Sequence, residues 1–349
     1  MLNYSQIKLK DIAQATGYSV NTISRALRDM PDIAEETKKI ISEKAKKMGY
    51  VPNKSAASLR TRKSMTIGVV FPSSNYPLFP YLLTELTFAA SASGYSLLFF
   101  QVQEEAQPSS EITAACEHGL DGMIIISSYT WLEKAAETLT ALSIPFVFLD
   151  EPPESVSCDT VSIDNEASTY QLTNYLLSKG HRDIVYVAGA DDSIFHFQRR
   201  LLGFRRAMEE AGIPESQQHV VSPRSPLQDH VWLDVCTELY PGASAYIAYN
   251  DMIAMLLMVH FLRQGKRIPE DISIAGFDNI LSSLWPFKLL TTVSIDLRSI
   301  AIDAIDILVK KIKGDIPLSE IFHRLTNATI VEGGTVRTIP SDPLHTTPD

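Results

Sequence analysis

The sequence predicts a small all-α head carrying a helix-turn-helix, joined to a larger two-lobed α/β domain built on parallel sheets. Three observations carry this. Residues 1–63 hold 13 Lys+Arg against 6 Asp+Glu, whereas 64–349 hold 18 against 35, so a basic head precedes an acidic body. Apolar residues recur at helical spacing before residue 50, and from Thr66 onward strand-length apolar runs alternate with helical segments.

A chain of 349 residues exceeds one compact core and implies two or three domains. Hydrophobic residues at 45% and charged residues at 21% exclude a disordered or fibrous protein. The overall charge of −10 hides a head of +7, which suits a polyanion-binding module attached to a domain with another task. MLNYSQIKLKDIA lacks an apolar core with a cleavage site, and no apolar run approaches the ~18 residues a membrane helix needs. A cytoplasmic location is expected, with no membrane partner. Cys116, Cys158 and Cys236 are far apart and odd in number, which indicates neither a disulfide framework nor a zinc cluster. Buried, reduced thiols are expected, and no metal or cofactor.

In the head, Leu9, Ile12 and Ala13 follow helical spacing, as do Ile23, Ala26 and Leu27, and Gly17-Tyr18-Ser19 separates the two segments. Ser19 is a natural N-cap for the second helix. Val20/Asn21, Ser24/Arg25 and Arg28 recur on the face opposite Ile23 and Leu27. In a major groove, Arg25 suits guanine, Asn21 adenine and Val20 a thymine methyl. Lys10, Ser19, Thr22 and Ser24 suit phosphates, which set register without specifying sequence. A third helix is expected from about Glu35 to Met48, ended by Gly49, with Asp32 and Glu35 at capping-box spacing. By itself the helical pair is also compatible with an αα-hairpin that binds no DNA.

The stretch KLKDIAQATGYSVNTISRALRDMPDIAEETKKIISEKAKKMGYVPNKSAASLRTRKSMTIGVV resembles, nearly end to end, the head of the lactose-repressor (LacI/GalR) family. The resemblance implies a sequence-specific transcriptional repressor acting at the bacterial nucleoid. Its head, residues 1–52, sits on half of a palindromic operator, with Val20, Asn21 and Arg25 at base edges. Residues 53–63, NKSAASLRTRK, look like the family's hinge helix, too short to persist alone and expected to fold when two copies pair on DNA. Asn53 and Ala56 join the implied DNA contacts, and Leu59 matches the apolar wedge that enters the minor groove. A flexible linker with one exposed leucine is the alternative. Lys8 stands where the family usually has a capping Thr, and Ala34 where it has Ser; Lys8 can still reach a phosphate as a point charge.

The runs TIGVVF, LLFFQV, GMIIIS, FVFLD, TVSID, DIVYVAG, AYIAYN and DISIAGFD mark parallel strands with helical crossovers, too many for one doubly wound sheet. Ligands gather outside the carboxyl ends of such strands, where Ser73, Ser127, Asp150, Asp164, Asn250 and Asp278 fall. Each alone is equally an ordinary strand end or helix cap. Residues 64–340 resemble the family's periplasmic-binding-protein-like domain for effector binding and dimerisation, with lobe 1 at about 64–163 and 293–326, lobe 2 at about 164–292 and 327–340, and a tail from 341. Arg200 with Gly203, Asn250-Asp251 and Gly276-Phe277-Asp278 match family motifs. The match implies that Arg200, Asn250 and Asp278 bind an effector that Asp150 and Ser73 approach from the other lobe. Phe79 matches an aromatic that packs on the ligand, although core packing fits it equally. His196, and Trp232 or Trp285, are candidates for tuning ligand choice.

Arginine and carboxylate groups beside an aromatic suit a carbohydrate or sugar phosphate, while purine or nucleoside ligands also occur in the family. Lys288 and Leu289 replace the usual prolines before LTTVSID, the expected return to the first lobe. The tail SDPLHTTPD lacks leucine heptads, so a homodimer is expected. An enzyme is the rival reading, but no phosphate-binding Gly-x-x-x-x-Gly-Lys-Ser/Thr loop, Gly-x-Ser-x-Gly elbow or metal-spaced His/Cys cluster occurs. A solute receptor for a transporter would need export and no basic head. Ligand in the cleft is expected to reset the pairing of the two first lobes and so the hinge helices, with either sign of response.

Overall fold

The computed structural model describes residues 7–51, 63–72, 76–102, 108–126, 129–150, 155–188, 195–223, 231–280 and 289–340. Asn53, Ala56, Leu59, Ser73, Ser127, Trp285, Lys288 and the tail after 340 lie outside the described residues. The chain forms two compact units, Met1–Ser64 and Met65–Asp349.

In the head, α1 (Leu9–Thr16), α2 (Val20–Ala26) and α3 (Glu35–Lys47) pack Ile12, Ile23, Ala26, Ile41 and Ala45 into a small core, edged by Leu9, Tyr18, Leu27 and Met48. Gly17 turns the chain out of α1 at φ +76°, a conformation that glycine enters without steric cost. Ser19 Oγ accepts the Thr22 N–H at 3.1 Å and caps α2, and the Asp11 carboxylate accepts the Lys8 N–H at 2.7 Å at the start of α1. The capping box expected at Asp32 and Glu35 does not form. Ala34 is the N-cap of α3 and makes no side-chain cap bond, because Asp32 lies two residues too early and has turned to Arg25, while Glu35 takes Lys38 at 2.7 Å. Acidic Glu35 and Glu36 open α3 and Lys44, Lys46 and Lys47 close it, matching the helix dipole.

The second unit contains two six-stranded sheets. Its first sheet holds β1 (Thr66–Pro72), β2 (Ser96–Val102), β3 (Gly122–Ile125), β4 (Phe146–Phe148), β5 (Asp159–Ile163) and β11 (His323–Thr326) in the order β11-β5-β4-β3-β1-β2, all parallel. The second holds β6 (Ile184–Val187), β7 (His219–Val221), β8 (Ala245–Ala248), β9 (Ser273–Asp278), β10 (Thr291–Ile295) and β12 (Ala328–Val331) in the order β12-β10-β9-β8-β6-β7, with β12 alone antiparallel. Residues GMII, IVYV, AYIA and SIAGFD are buried throughout, as expected of strands covered on both faces. The lobe boundary drawn at Val293 falls inside β10, which pairs with β9 in the second sheet; the first lobe resumes with α11 (Leu297–Lys313), which packs on α4 (Leu78–Ala92).

Helix α7 (Asn165–Ser178) lies against α8 (Phe195–Glu210), and Gly203 makes that approach possible: a Cβ there would stand 2.2 Å from the Glu166 carbonyl oxygen. Trp232 is buried in the second lobe's core with Val185, Val187 and Cys236, so packing, rather than ligand choice, accounts for it. Cys158 and Cys236 are buried, and burial pushes both thiols up to about 12; Cys116 is only half-buried, and all three are free.

Candidate functional site

The head presents one polar face. Val20, 46% exposed, and Asn21 stand on the first turn of α2, with Arg28 one turn beyond Ser24 and its Nε donating to the Ser24 carbonyl at 2.9 Å. Ser19 and Thr22 pair their hydroxyls at 2.8 Å beside this face, and exposed Lys8 precedes α1. Arg25 is held differently from its neighbours: its Nη2 meets Asp32 Oδ2 at 2.5 Å. The arginine's hydrogen bond holds the Asp32 carboxyl below the usual carboxylate range.

In the second unit, the carboxyl ends of β8 and β9 meet α8 at Arg200. This buried guanidinium donates from Nε to Asn165 Oδ1 at 2.9 Å and from Nη1 to the Tyr249 carbonyl at 2.5 Å. Its Nη2 faces Asp278 Oδ1 at 3.5 Å, and its Cζ lies over the Phe277 ring, 3.6 Å from the ring centre. The other Asp278 oxygen accepts the Tyr76 hydroxyl, which comes from the segment between β1 and α4 and so reaches across from the first lobe. Burial and the facing Asp278 carboxylate push the Tyr76 phenol well above its ordinary range, keeping it a donor. Asp278 also lines a cavity of about 190 Å³ with Leu78, Tyr81, Glu85, Ser294 and Arg298.

Asp278 has φ +98° and Asn279 φ +54°, two successive non-glycine residues in the left-handed region. Such backbone costs ~1–3 kcal/mol per residue and persists where surrounding bonds over-determine it. Here Arg200 and Tyr76 hold the Asp278 side chain, Asn279 donates to Ser294 Oγ at 3.0 Å, and the Ile280 N–H donates to Asp251 Oδ2 at 2.8 Å. Asp251 is fully buried and also accepts the Thr292 hydroxyl at 2.6 Å. Gly276 is the residue that leaves it room, since a Cβ would fall 2.2 Å from Asp251 Oδ1.

Of the residues expected to bind an effector, Arg200 and Asp278 come together. Asn250 caps α10 (Asp251–Arg263), its Oδ1 accepting the Ile253 N–H at 3.0 Å, and Asp164 caps α7 in the same way at 2.8 Å. Phe79 is half-buried and packs against the core, the alternative left open for it. Asp150 stands partly exposed after β4, and His196 lies in the first turn of α8, its side chain outside the described residues. Tyr76, Asn165 and Asp251 were not among the expected ligand-site residues. Asp251 sits in the Asn-Asp pair already noted and Asn165 follows Asp164, but no periodicity marks Tyr76.

Burial, reinforced by Asp278, raises Asp251 to about 7, against hydrogen bonds from Thr292, Ile280 and Phe277 that lower it. A carboxyl raised on folding contributes stability that is complete below about 4 and is lost as pH climbs through 7. Urea titrations across that range should show stability falling with pH, and Asp251→Asn should flatten the slope. An equally steep slope in the variant would place the effect elsewhere.

The N-terminal residues 8–53 match the model of bacterial regulatory proteins of the lacI family, and residues 173–336 match the periplasmic binding protein-like domain. The chain is 28% identical over 308 residues to the HTH-type transcriptional repressor PurR of Vibrio parahaemolyticus, covering 87% of this chain and 92% of that protein. It is 28% identical over 290 residues to the HTH-type transcriptional regulator DegA of Bacillus subtilis, covering 81% and 85%. Its fold matches the lac repressor dimer bound to operator and the anti-inducer ONPF with a TM-score of 0.82 at 21% identity, over 95% of this chain and all 100% of that one. A LacI-family regulator from Enterococcus faecium with bound ribose matches at 0.68 and 24% identity, over 79% and 100%. The chain thus joins a lacI-family helix-turn-helix head to a periplasmic binding protein-like α/β domain, and its curated relatives of similar length are transcriptional regulators. No described helix is long and apolar enough to cross a membrane.

Proposed function

We propose that this chain is a cytoplasmic homodimeric repressor that reads a palindromic operator through Val20, Asn21 and Arg25, and that a sugar or sugar derivative bound at Arg200 and Asp278 sets its operator affinity. The observation that carries the ligand reading is the Tyr76–Asp278–Arg200 cluster. It joins the two lobes through one carboxylate at the strand ends where open α/β sheets take ligands. A vicinal diol can replace the Tyr76 hydroxyl as donor to Asp278 and accept from Arg200, so ligand entry exchanges a contact between lobes for contacts to itself. The ribose bound to the Enterococcus relative is of this chemical class. Exposed Phe88 on α4 and Phe99 on edge strand β2 supply apolar surface for the dimer.

Thermal-shift screening of the full chain against sugars, sugar phosphates and nucleobases tests the ligand class, since a ligand that binds the folded state raises Tm by mass action. Gel-shift titration with each hit then tests coupling; an operator midpoint unmoved by every hit overturns it. For the head, Arg25→Ala should weaken operator binding roughly 10- to 100-fold and relax preference at one base pair per half-site. Equal loss on all sequences would assign Arg25 to phosphate instead.

A further inference from the structure

We propose that Asp32 is a specificity-determining residue of the head, which orients Arg25 and weakens binding to DNA that offers Arg25 no guanine. The inference rests on the reading of Arg25 as a base contact. The Arg28 and Met30 N–H groups both return to the Arg25 carbonyl, at 3.2 and 3.1 Å, so the chain leaving α2 folds back and lays Pro31-Asp32 along the arginine. Both side chains reach solvent, Arg25 at 36% and Asp32 at 50% exposure, so the carboxylate sits at the surface that would meet DNA. The other nearby carboxylates are compensated otherwise: Lys38 holds Asp29 and Glu35, each at 2.7 Å. Arg25 Nε is buried without a hydrogen-bond partner among the described residues, so the guanidinium is anchored at its Nη2 end by Asp32.

A guanidinium has five N–H donors, and one carboxylate contact leaves enough for the two acceptors of a guanine edge. At a guanine, Arg25 can therefore hold Asp32 and the base together, with its rotamer already fixed. At any other base it stays an Arg–Asp pair of no net charge, and the Asp32 carboxylate faces a polyanion. Without Asp32 the arginine becomes a free cation on a flexible stem, able to swing to a phosphate on any sequence. Asp32 acts through Arg25 and is a positioning residue.

The test selects bound duplexes from a random pool with the full-length wild type, Asp32→Asn, Arg25→Ala and the double variant. Salt titrations on the enriched duplex and on one unrelated duplex follow. Asp32→Asn should tighten unrelated DNA about threefold to tenfold, steepen its log–log salt slope by about one phosphate contact, and lower sequence preference at the position Arg25 reads. In the Arg25→Ala background the same change should leave that preference unmoved, an outcome a general loosening of the head would not produce. Arg25→Ala losing affinity equally on both duplexes overturns the base reading itself. A sequence-selective Arg25 with an unchanged or higher preference in Asp32→Asn overturns only the role given to Asp32.

Discussion

Replacing Arg200 with alanine is expected to abolish the effector response and to destabilise the effector domain by about 3–5 kcal/mol, the usual cost of stripping a buried charge of its partner. The guanidinium ties Asn165 at the head of α7, the Tyr249 carbonyl after β8 and Asp278 at the end of β9. Without it, a carboxylate only 4% exposed keeps the Tyr76 hydroxyl but loses its cation. Lysine restores charge but not the planar fork that reaches three acceptors and stacks on Phe277, so Arg200→Lys should regain part of the stability and none of the ligand shift. Urea unfolding of Arg200→Ala, Asp278→Asn and the double variant separates the causes. If the uncompensated carboxylate dominates, the double variant is more stable than Arg200→Ala. A double variant that loses the sum of both singles would mean packing and hydrogen bonding dominate.

How much of this was legible in the sequence differs between the two units for a physical reason. Helix starts and strand runs are local: Ser19 caps α2 because its hydroxyl is three residues from the amide it serves, and IVYV reads as a buried strand from its own composition. Side-chain partnerships across distant segments are not local. Asp32 has the spacing of a capping box with Glu35, yet the fold places a guanidinium beside it and the cation wins. Asn250 ends a strand as a ligand-binding residue would, but its oxygen serves the helix that follows. Tyr76 meets Asp278 across 202 positions of sequence, a pairing that only the approach of the two lobes creates. Motif matching gave Arg200 and Asp278 a ligand-binding role but selected Gly203 and Gly276 without saying what either does. The structure assigns Gly203 to helix contact and Gly276 to the space for Asp251.

Lys311, outside the cleft, is a second buried charge whose loss is expected to be costly. Lys311→Met should cost about 3–5 kcal/mol although methionine nearly matches its volume. Its Nζ meets Asp159 Oδ2 at 2.5 Å with both side chains under 5% exposed, donates to the Glu320 carbonyl at 2.6 Å and lies over the Phe322 ring. Asp159 in turn accepts the Phe322 N–H at 3.0 Å. One ion pair therefore pins the segment between α11 and β11 and sets the register in which β11 joins the edge of the first sheet. Methionine removes the cation, and with it a donor to that carbonyl, while Asp159 stays buried. Hydrogen exchange should speed at Phe322–Thr326 before it changes in the second sheet, because the fastening lost is local to β11. Adding Asp159→Asn should recover part of the loss by removing the uncompensated charge. Because the chain passes from β11 straight into β12 of the other lobe, a loosened β11 should also weaken the link between effector binding and operator affinity. Lys311→Met with wild-type exchange at β11 and an unchanged urea midpoint would show that the pair holds nothing.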